Sequence, residues 1–198
     1  CARTGKIWAV DHEDVVPDCL TFAKGFSGGL IPFGGYLCTE ELYEAAYGSV
    51  ETCFHHTATY QENGISAAAG LASLEYILEN DLIQAAAEKG SYFMNALKKI
   101  QEKYPQIIKE VRGKGLMIGL ETYEIPEGFK EGYGDYFADP INNDLVEKYR
   151  IQANHTINNP AVFRFLPPLT IKKEDLDYAL ASMEKAAADA YAHVYKKA

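Results

Sequence analysis

Asp18-Cys19-Leu20-Thr21-Phe22-Ala23-Lys24-Gly25-Phe26-Ser27-Gly28-Gly29 is the stretch from which the fold of this chain is inferred. Residues 20–23 are apolar apart from one threonine and are bounded by turn residues, which predicts a short buried strand. Lys24 follows directly, before a loop whose glycines let a backbone or ligand approach closely. At the rim of a core an ammonium is desolvated, which favours its neutral, nucleophilic form. The pattern is compatible with a Schiff-base lysine, although spacing alone favours a solvated turn residue.

Length, composition and charge restrict the class of protein. The chain has 198 residues, enough for a substantial core in one or two domains. Its hydrophobic content of 47% and charged content of 24% are those of an ordinary globular protein. A net charge of −9 and a pI near 5.1 argue against binding to nucleic acid or to an anionic membrane surface. No apolar run is long enough for a membrane span.

The cysteines show neither a CxxC pair nor a spacing typical of metal ligands. They are Cys1, Cys19, Cys38 and Cys53. We therefore expect reduced, buried or incidental thiols in a cytoplasmic protein, and no zinc site. The first residues contain no signal-peptide core, so they give no information on localisation.

The lysine stretch resembles the motif of the class III (ω-) aminotransferases, which depend on pyridoxal 5′-phosphate (PLP). That motif has an aspartate, two mostly apolar residues, two free positions, a small residue, the lysine and a loop rich in Gly and Ser. The positions that satisfy it in order are Asp18, Cys19, Leu20, Ala23 and Lys24. The resemblance implies that Lys24 holds PLP as an internal aldimine and, once displaced by an amine, moves a proton on the substrate.

Residues 1–9 resemble the Gly-Arg-Thr-Gly-Lys segment that precedes the lysine motif in this family. In the family, the carboxylate that pairs with the pyridinium nitrogen lies just upstream of that segment, and this sequence does not contain it. The phosphate-binding Gly/Ser loop and the aromatic residue that stacks on the cofactor ring are missing as well. We therefore expect the chain to correspond to about the C-terminal half of such an enzyme, and the fragment to be inactive on its own.

A polar, irregular segment, residues 51–64, contains two histidines and three threonines. Adjacent histidines point in different directions, and no carboxylate or third histidine stands at ligand spacing, so we expect no metal site. The segment resembles the family's His-Thr-Thr-Thr-Phe-Gly-Gly-Asn-Pro, which implies that Thr59 reaches across a dimer interface to the cofactor phosphate of the other subunit. Gln61-Glu62 replaces Gly-Gly; because a carboxylate beside a phosphate would be repulsive, Glu62 must point away or the loop must differ. In the alternative interpretation Thr59 caps the following helix.

The remainder of the chain predicts two helices and a smaller domain. Apolar residues at helical spacing over 65–104, interrupted at Asn80-Asp81, predict two consecutive helices. Apolar runs around glycines at 107–121 predict a hairpin, and this stretch resembles the family's Val-Arg-Gly-Lys-Gly-Leu-Met segment. Residues 122–143 lack periodicity and predict a long loop. An apolar stripe after Thr170 predicts the helix that closes this domain.

Arg164 lies in an apolar run, on a predicted strand whose opposite face carries Phe163 and Phe165. A charge in such a run needs a partner, and the pattern alone favours a salt bridge within the protein. The run resembles the family's Ile-Arg-Ile/Phe-x-Pro-Pro-Leu motif, which implies that Arg164 binds the substrate carboxylate. A guanidinium suits that role because it is planar and can donate two parallel hydrogen bonds to a carboxylate.

Together these features predict an α/β chain with a PLP-dependent transferase fold of type I. The expected parts are the end of the large domain (residues 1–64), linking helices (65–105) and a C-terminal α+β small domain (106–198). Alternation of short strands with helices supports this independently of the resemblance.

The resemblance implies an aminotransferase that moves an amino group from an amine or amino acid to a 2-oxoacid such as 2-oxoglutarate. Diamine or ω-amine donors are favoured, followed by acetylornithine- and ornithine-type substrates. Lys24 would be the catalytic residue, Lys24 and Thr59 would bind the cofactor, and Arg164 would bind substrate. The full enzyme would be a homodimer. An aminomutase or racemase of the same fold stays an open alternative, because both chemistries use the same lysine.

Overall fold

The computed structural model describes residues 1–196, which divide into two compact units. The first unit comprises Cys1–Ala2 and Lys6–Ile83. The second comprises Arg3–Gly5 and the residues from Gln84 onward. The domain boundaries expected from the sequence, after residues 64 and 105, stay predictions.

The first unit contains a β-hairpin followed by helices. Its elements are β1 (Cys19–Ala23), β2 (Gly34–Cys38), α1 (Glu40–Tyr47) and α2 (Gly64–Glu79), with short 3-10 turns at Ala9–His12 and Lys24–Ser27. The two strands pair antiparallel, with Ala23 opposite Gly34 at the end that leads to Lys24. Helix α1 begins after Thr39, whose hydroxyl oxygen accepts a hydrogen bond from the Leu42 amide at 3.3 Å.

Strand β1 forms where the sequence predicted it, but the prediction that it is buried is wrong. Leu20 and Phe22 are half-buried, while Cys19, Thr21 and Ala23 are exposed. The reason is that, within residues 1–196, β1 pairs with β2 alone, and a two-stranded antiparallel ribbon covered on one side alternates between covered and exposed residues. The apolar run therefore indicated the strand correctly and its environment incorrectly.

Helix α2 has apolar residues around most of its circumference, as the Ala-rich stretch at 67–69 shows. Its buried residues are Gly70 and Ile77, whereas Ile65, Leu71 and Leu78 are exposed. A helix that is apolar all round is usually buried on all sides in a folded protein.

The second unit is built on a four-stranded antiparallel sheet with helices. Its elements are α3 (Leu82–Lys103, beginning in the first unit), β3 (Ile108–Lys114), β4 (Met117–Thr122), α4 (Ala138–Glu147), β5 (Asn154–Thr156), β6 (Asn159–Phe165) and α5 (Lys173–Tyr195). The strand order is β3-β4-β6-β5. The predicted helices on either side of Asn80-Asp81 and the predicted hairpin are confirmed.

Large aliphatic and aromatic side chains from the sheet and all three helices form the core of this unit. Fully buried examples are Leu97 on α3, Leu120 on β4, Ile141 on α4, Phe163 on β6 and Leu176 on α5. The apolar stripe predicted after Thr170 is confirmed as the buried face of α5. This core fixes the strands that carry Arg164 and its neighbours.

The prediction of a loop over 122–143 is wrong for its last part. A 3-10 turn occupies Glu127–Phe129, and α4 begins at Ala138. The sequence pattern did not predict this helix because proline usually interrupts helices. Pro140 lies in the first turn, however, where the backbone N–H has no partner within the helix. Nowhere in the described chain, residues 1–196, is a helix both long and apolar enough to cross a membrane.

Candidate active site

Lys24 stands at the end of β1, where the strand turns into the 3-10 turn Lys24–Ser27. Its φ is +61°, in the left-handed region that side chains other than glycine adopt at a cost. Strained backbone of this kind concentrates at functional sites, because the surrounding structure must impose it. Within residues 1–196 its ammonium has neither a hydrogen bond nor an ion pair. The Lys24 side chain is thus not engaged by any other described residue.

The sequence predicted that Lys24 is desolvated at the rim of a core, whereas its side chain is exposed in this chain. Its two neighbours, Ala23 and Gly25, are small and exposed and cannot cover it. The position of Lys24 at the strand end agrees with the sequence-based prediction, but the predicted desolvation of its side chain is not observed in this chain.

Four aromatic rings brace the backbone on both sides of Lys24, and the sequence analysis missed them. The ring centroids of Phe22 and Phe26 lie 4.6 Å apart, and those of Phe26 and Phe33 lie 5.5 Å apart. Trp8 stacks on Phe26 at 5.9 Å with an angle of 5° between the rings. Such clusters stabilise by more than the area they bury. The signal for them was a phenylalanine two residues before and two residues after Lys24.

The loop after Lys24 needs its glycines for conformation. Gly28 and Gly29 have φ values of +69° and +81°, which glycine adopts without strain. Ser27 is buried and its hydroxyl donates to the Ile31 carbonyl oxygen. The Gly28 amide donates to the Gly25 carbonyl at 3.1 Å. The loop is therefore an ordered turn that fixes the exit of the chain from Lys24.

Thr59 lies on an exposed turn between α1 and α2. The Gln61 amide closes this turn by donating to the Ala58 carbonyl at 3.0 Å. The alternative that Thr59 caps α2 is wrong, because the Asn63 side chain caps it, accepting at 3.1 Å from the amides of Ile65 and Ser66. The Thr59 hydroxyl is thus not used by the helix and is available to a ligand.

A cleft of about 900 Å³ opens in the first unit, next to the Thr59 turn. Tyrosines dominate its wall: Tyr36, Tyr43, Tyr47 and Tyr60. The hydrogen bond to Tyr47 raises the pKa of Tyr36. Ala58 and Tyr60, the two neighbours of Thr59, line the cleft. Thr59 itself and Lys24 are not among the described residues that line it. The cleft is therefore adjacent to one predicted site residue and does not bring the two together.

Neither histidines nor cysteines gather into a metal site in residues 1–196, where no group of three or more His, Cys, Asp or Glu side chains is placed to hold an ion. His55 and His56 are exposed on the Thr59 segment. All four cysteines are free; three of them are exposed and Cys38 is half-buried, so of the expected reduced, buried or incidental thiols none is fully buried.

Arg164 lies in the second unit, on β6, opposite Gly119 of β4 and Asn154 of β5. It is exposed, and its guanidinium has no hydrogen-bond or ion-pair partner among residues 1–196. The alternative of a salt bridge within the protein therefore finds no support in the described chain. The Arg164 guanidinium is available to an anionic ligand.

The carboxylate on the neighbouring strand that could have paired with Arg164 is already engaged. Glu121 accepts hydrogen bonds from Lys109 at 2.7 Å and Arg112 at 2.8 Å, and these hold its pKa below the ordinary value. Arg112 also contacts Glu110 at 2.6 Å. Glu121, Lys109 and Arg112 are thus paired, whereas Arg164 has no such partner within residues 1–196.

Arg3 makes two contacts that the sequence analysis did not predict. Its guanidinium donates to the Pro167 carbonyl oxygen, and its own carbonyl accepts from the Leu116 amide at 2.8 Å. Partial burial lowers the pKa of Arg3. The contact with Pro167 spans 164 positions in the chain, and no periodic pattern signals either contact.

The side chains present fit the chemistry of a PLP enzyme. An unpartnered primary amine at Lys24 can bond to an aldehyde, a hydroxyl at Thr59 can donate to a phosphate, and a guanidinium at Arg164 can hold a carboxylate. Lys24 and Thr59 belong to the first unit and Arg164 to the second.

Comparison with known proteins gives the family. The sequence model for "Aminotransferase class-III" matches residues 1–187. An uncharacterized aminotransferase of Schizosaccharomyces pombe is 54% identical over 188 residues, which are 95% of this chain and 39% of that protein.

Solved structures of similar fold point the same way. A transaminase from the marine bacterium Virgibacillus has a TM-score of 0.82 at 26% identity, over 96% of this chain and 43% of that one. Acetylornithine aminotransferase from Elizabethkingia anophelis has a TM-score of 0.79 at 29% identity, over 95% and 43%. An (S)-enantioselective ω-transaminase from Thermomicrobium roseum has a TM-score of 0.81 at 28% identity, over 96% and 41%.

This chain therefore spans less than half the length of each of these relatives. Its α/β architecture matches the C-terminal portion of PLP-dependent enzymes of fold type I, as the sequence predicted. The chain belongs to the class-III aminotransferases, a family whose members depend on pyridoxal 5′-phosphate.

Proposed function

We propose that the whole protein transfers an amino group from an amine or amino acid to a 2-oxoacid such as 2-oxoglutarate, with PLP attached to Lys24. The observation that carries this proposal is the state of Lys24. Its amine has no partner in the described residues, and its backbone is held at φ +61° between a strand end and an aromatic cluster. Exposed Asp14, Asp81 and Arg150 also have a left-handed backbone, so the φ of Lys24 supports the proposal through its combination with the unpartnered amine and the class-III family match.

Each proposed site residue has one task. PLP, when bound, would supply an electron sink for the bond broken at the substrate carbon. The Lys24 amine would attach the cofactor and then carry the proton that leaves the substrate carbon. The Thr59 hydroxyl would donate a hydrogen bond to the cofactor phosphate of the other subunit in a homodimer. The Arg164 guanidinium would hold the carboxylate of an amino acid or 2-oxoacid.

The proposed donor is a diamine or another ω-amine, with acetylornithine- and ornithine-type substrates next. The support is the segment from Asn158 to Pro168, which resembles that of diamine aminotransferases. Among the relatives, one solved structure is named an ω-transaminase and another an acetylornithine aminotransferase. We place the protein in the cytoplasm on the basis of its reduced cysteines.

Trapping of the cofactor tests the role of Lys24. The intact protein would be mixed with PLP, reduced with borohydride and mapped by peptide mass spectrometry. We expect the adduct on the peptide that contains Lys24, and no adduct there in Lys24→Ala. Lys98→Ala is the matched control, because Lys98 is also an exposed lysine. An adduct elsewhere, with none on Lys24, would show the assignment to be wrong.

Turnover assays then separate transamination from the alternative chemistries. Putrescine or ornithine would be offered with and without 2-oxoglutarate, and products would be identified by mass spectrometry. Transamination requires the 2-oxoacid in each complete turnover. Product formed equally well without it would favour an aminomutase or racemase.

A further inference from the structure

Arg3 joins two adjacent strands at the end where they stop pairing. The last pair between β4 and β6 in this direction is Ile118↔Phe165. Beyond it, Arg3 accepts from the Leu116 amide at 2.8 Å and donates to the Pro167 carbonyl oxygen. One residue therefore contacts the chain just before β4 begins and just after β6 ends.

The sheet cannot make this connection by itself. Pro167 and Pro168 follow β6, and proline has no N–H to donate to a neighbouring strand. Pro167 can therefore accept a backbone hydrogen bond but not donate one, and its carbonyl oxygen accepts from the Arg3 guanidinium. A hydrogen bond from a guanidinium is stronger than one between neutral groups, because the donor is charged.

Both contacts lie close in sequence to the site of the proposed carboxylate contact. Pro167 is three residues from Arg164, and Leu116 is three residues from Gly119, which faces Arg164 across the strands. Gly119 has no side chain to support Arg164 from the neighbouring strand. On the β4 side the direction of Arg164 is therefore set by the backbone of β6, whose end Arg3 contacts, while Asn154 of β5 lies opposite Arg164 on the other side.

The segment that contains Arg3 is packed tightly against the β3–β4 turn. A Cβ added at Gly115, whose φ is +53°, would lie 2.5 Å from the Thr4 carbonyl carbon and 2.6 Å from the Arg3 carbonyl oxygen. A Cβ added at Gly90 would lie 2.1 Å from the Gly115 carbonyl oxygen. The Arg3 segment is thus pressed against the β3–β4 turn, which is pressed against α3. Such packing transmits a displacement of one segment to the next.

We propose that Arg3 is a positioning residue that holds Arg164 in the direction needed to bind a substrate carboxylate. The inference rests on the proposed role of Arg164. A misplacement of a binding group by about 1 Å can weaken its action strongly even when the change lies outside the site.

The test compares two amine donors that differ by one carboxylate, ornithine and putrescine, in the intact protein with PLP. Arg3→Gln removes the charge and the hydrogen bond to Pro167. Measured as the half-reaction with the amine donor alone, without a 2-oxoacid, it should raise KM for ornithine roughly tenfold and leave kcat and the KM for putrescine within about twofold. Arg164→Gln should show the same selectivity. In the Arg164→Gln background Arg3→Gln should have no further effect on ornithine, since the group it positions is gone.

Two further measurements make the result independent of activity and of misfolding. Titration calorimetry with glutarate, a dicarboxylate, should show a roughly tenfold weaker Kd in Arg3→Gln and in Arg164→Gln. Arg3→Lys keeps a charge but not the planar fork, so its KM for ornithine should lie between those of wild type and Arg3→Gln. If Arg3→Gln does not fold, Arg3→Lys is used in its place. Lys98→Ala, which removes one exposed charge on α3, should change none of these values.

The outcomes distinguish this inference from the proposed function. If Arg164→Gln selectively weakens carboxylate-bearing ligands and the Arg3 variants do not, Arg3 is a structural residue and the inference is wrong. Equal losses for ornithine and putrescine, or additive losses in the double variant, would also overturn it. If Arg164→Gln itself does not separate the two donors or weaken glutarate binding, the proposed role of Arg164 is wrong and this inference is wrong with it.

Discussion

Gly90→Ala should destabilise the protein, although the same substitution in an open helix is stabilising. Alanine is favoured over glycine inside a helix by about 1 kcal/mol. At position 90, however, the new Cβ would lie 2.1 Å from the Gly115 carbonyl oxygen and 2.2 Å from its carbonyl carbon, whereas ordinary contacts begin at 3.4 Å. These are backbone atoms, so no side-chain rotation can relieve the overlap.

The expected magnitude follows from the two opposing effects. Overpacking of a tight contact costs typically 1–3 kcal/mol, and an overlap of this size with backbone belongs at the upper end, about 3 kcal/mol. Subtracting the helix preference of about 1 kcal/mol leaves a loss of about 2 kcal/mol. For a chain of 198 residues this corresponds to a fall in Tm of roughly 4–8 °C.

Thermal unfolding followed by circular dichroism measures this shift. Gly64→Ala is the matched control, because Gly64 is the first residue of α2 and a Cβ there meets nothing within 4 Å. We expect the control to be neutral or slightly stabilising. A Gly90→Ala protein as stable as wild type would refute the close approach of α3 to the β3–β4 turn, and with it the packing that supports Arg3.

The other predictions concern a helix cap, an ion pair and the core. Asn63→Ala should lower the free energy of unfolding by about 1 kcal/mol in urea titrations, because it removes the N-cap of α2, and Asn63→Asp should retain most of it. Hydrogen bonds from Lys109 and Arg112 hold the pKa of Glu121 below its ordinary value of 4.5. Their contribution to the free energy of unfolding is therefore fully present above the unfolded-state pKa and is lost as the pH falls through the lower folded-state pKa. Glu121→Gln should therefore be less stable than wild type by up to about 1 kcal/mol near neutral pH, and this difference should vanish in acid; a difference independent of pH would contradict the ion pairs. Phe163→Ala, at a fully buried position, should cost about 3–5 kcal/mol, and a loss below about 1 kcal/mol would show that the core is not packed around it.

Periodic and local features could be predicted from the sequence. The helical stripes gave α2, α3 and α5, and the glycine-separated apolar runs gave the β3–β4 hairpin. The order of small, charged and glycine residues around Lys24 was enough to identify the family that comparison with relatives shows. These are patterns that a short window of the chain contains completely.

Features that depend on distant segments could not be predicted. The exposure of β1 is decided by how many strands pair with it, which an apolar run does not encode. The start of α4 was predicted as a loop because it contains Pro140, which is unfavourable inside a helix. Only the structure shows that Pro140 lies in the first turn, where proline is tolerated. The contact of Arg3 with Pro167 joins opposite ends of the chain, and the roles of Lys24, Thr59 and Arg164 stay predictions that the experiments above address.

The left-handed backbone at Lys24 affects the stability of any variant at this position. Glycine would adopt φ +61° without crowding its neighbours, whereas every residue with a Cβ is disfavoured by about 1 kcal/mol or more. Lys24→Gly should therefore have a larger free energy of unfolding than Lys24→Ala, although both variants lack the amine. The residue that suits this backbone best and the residue that the proposed chemistry requires are different, and the chain contains the second.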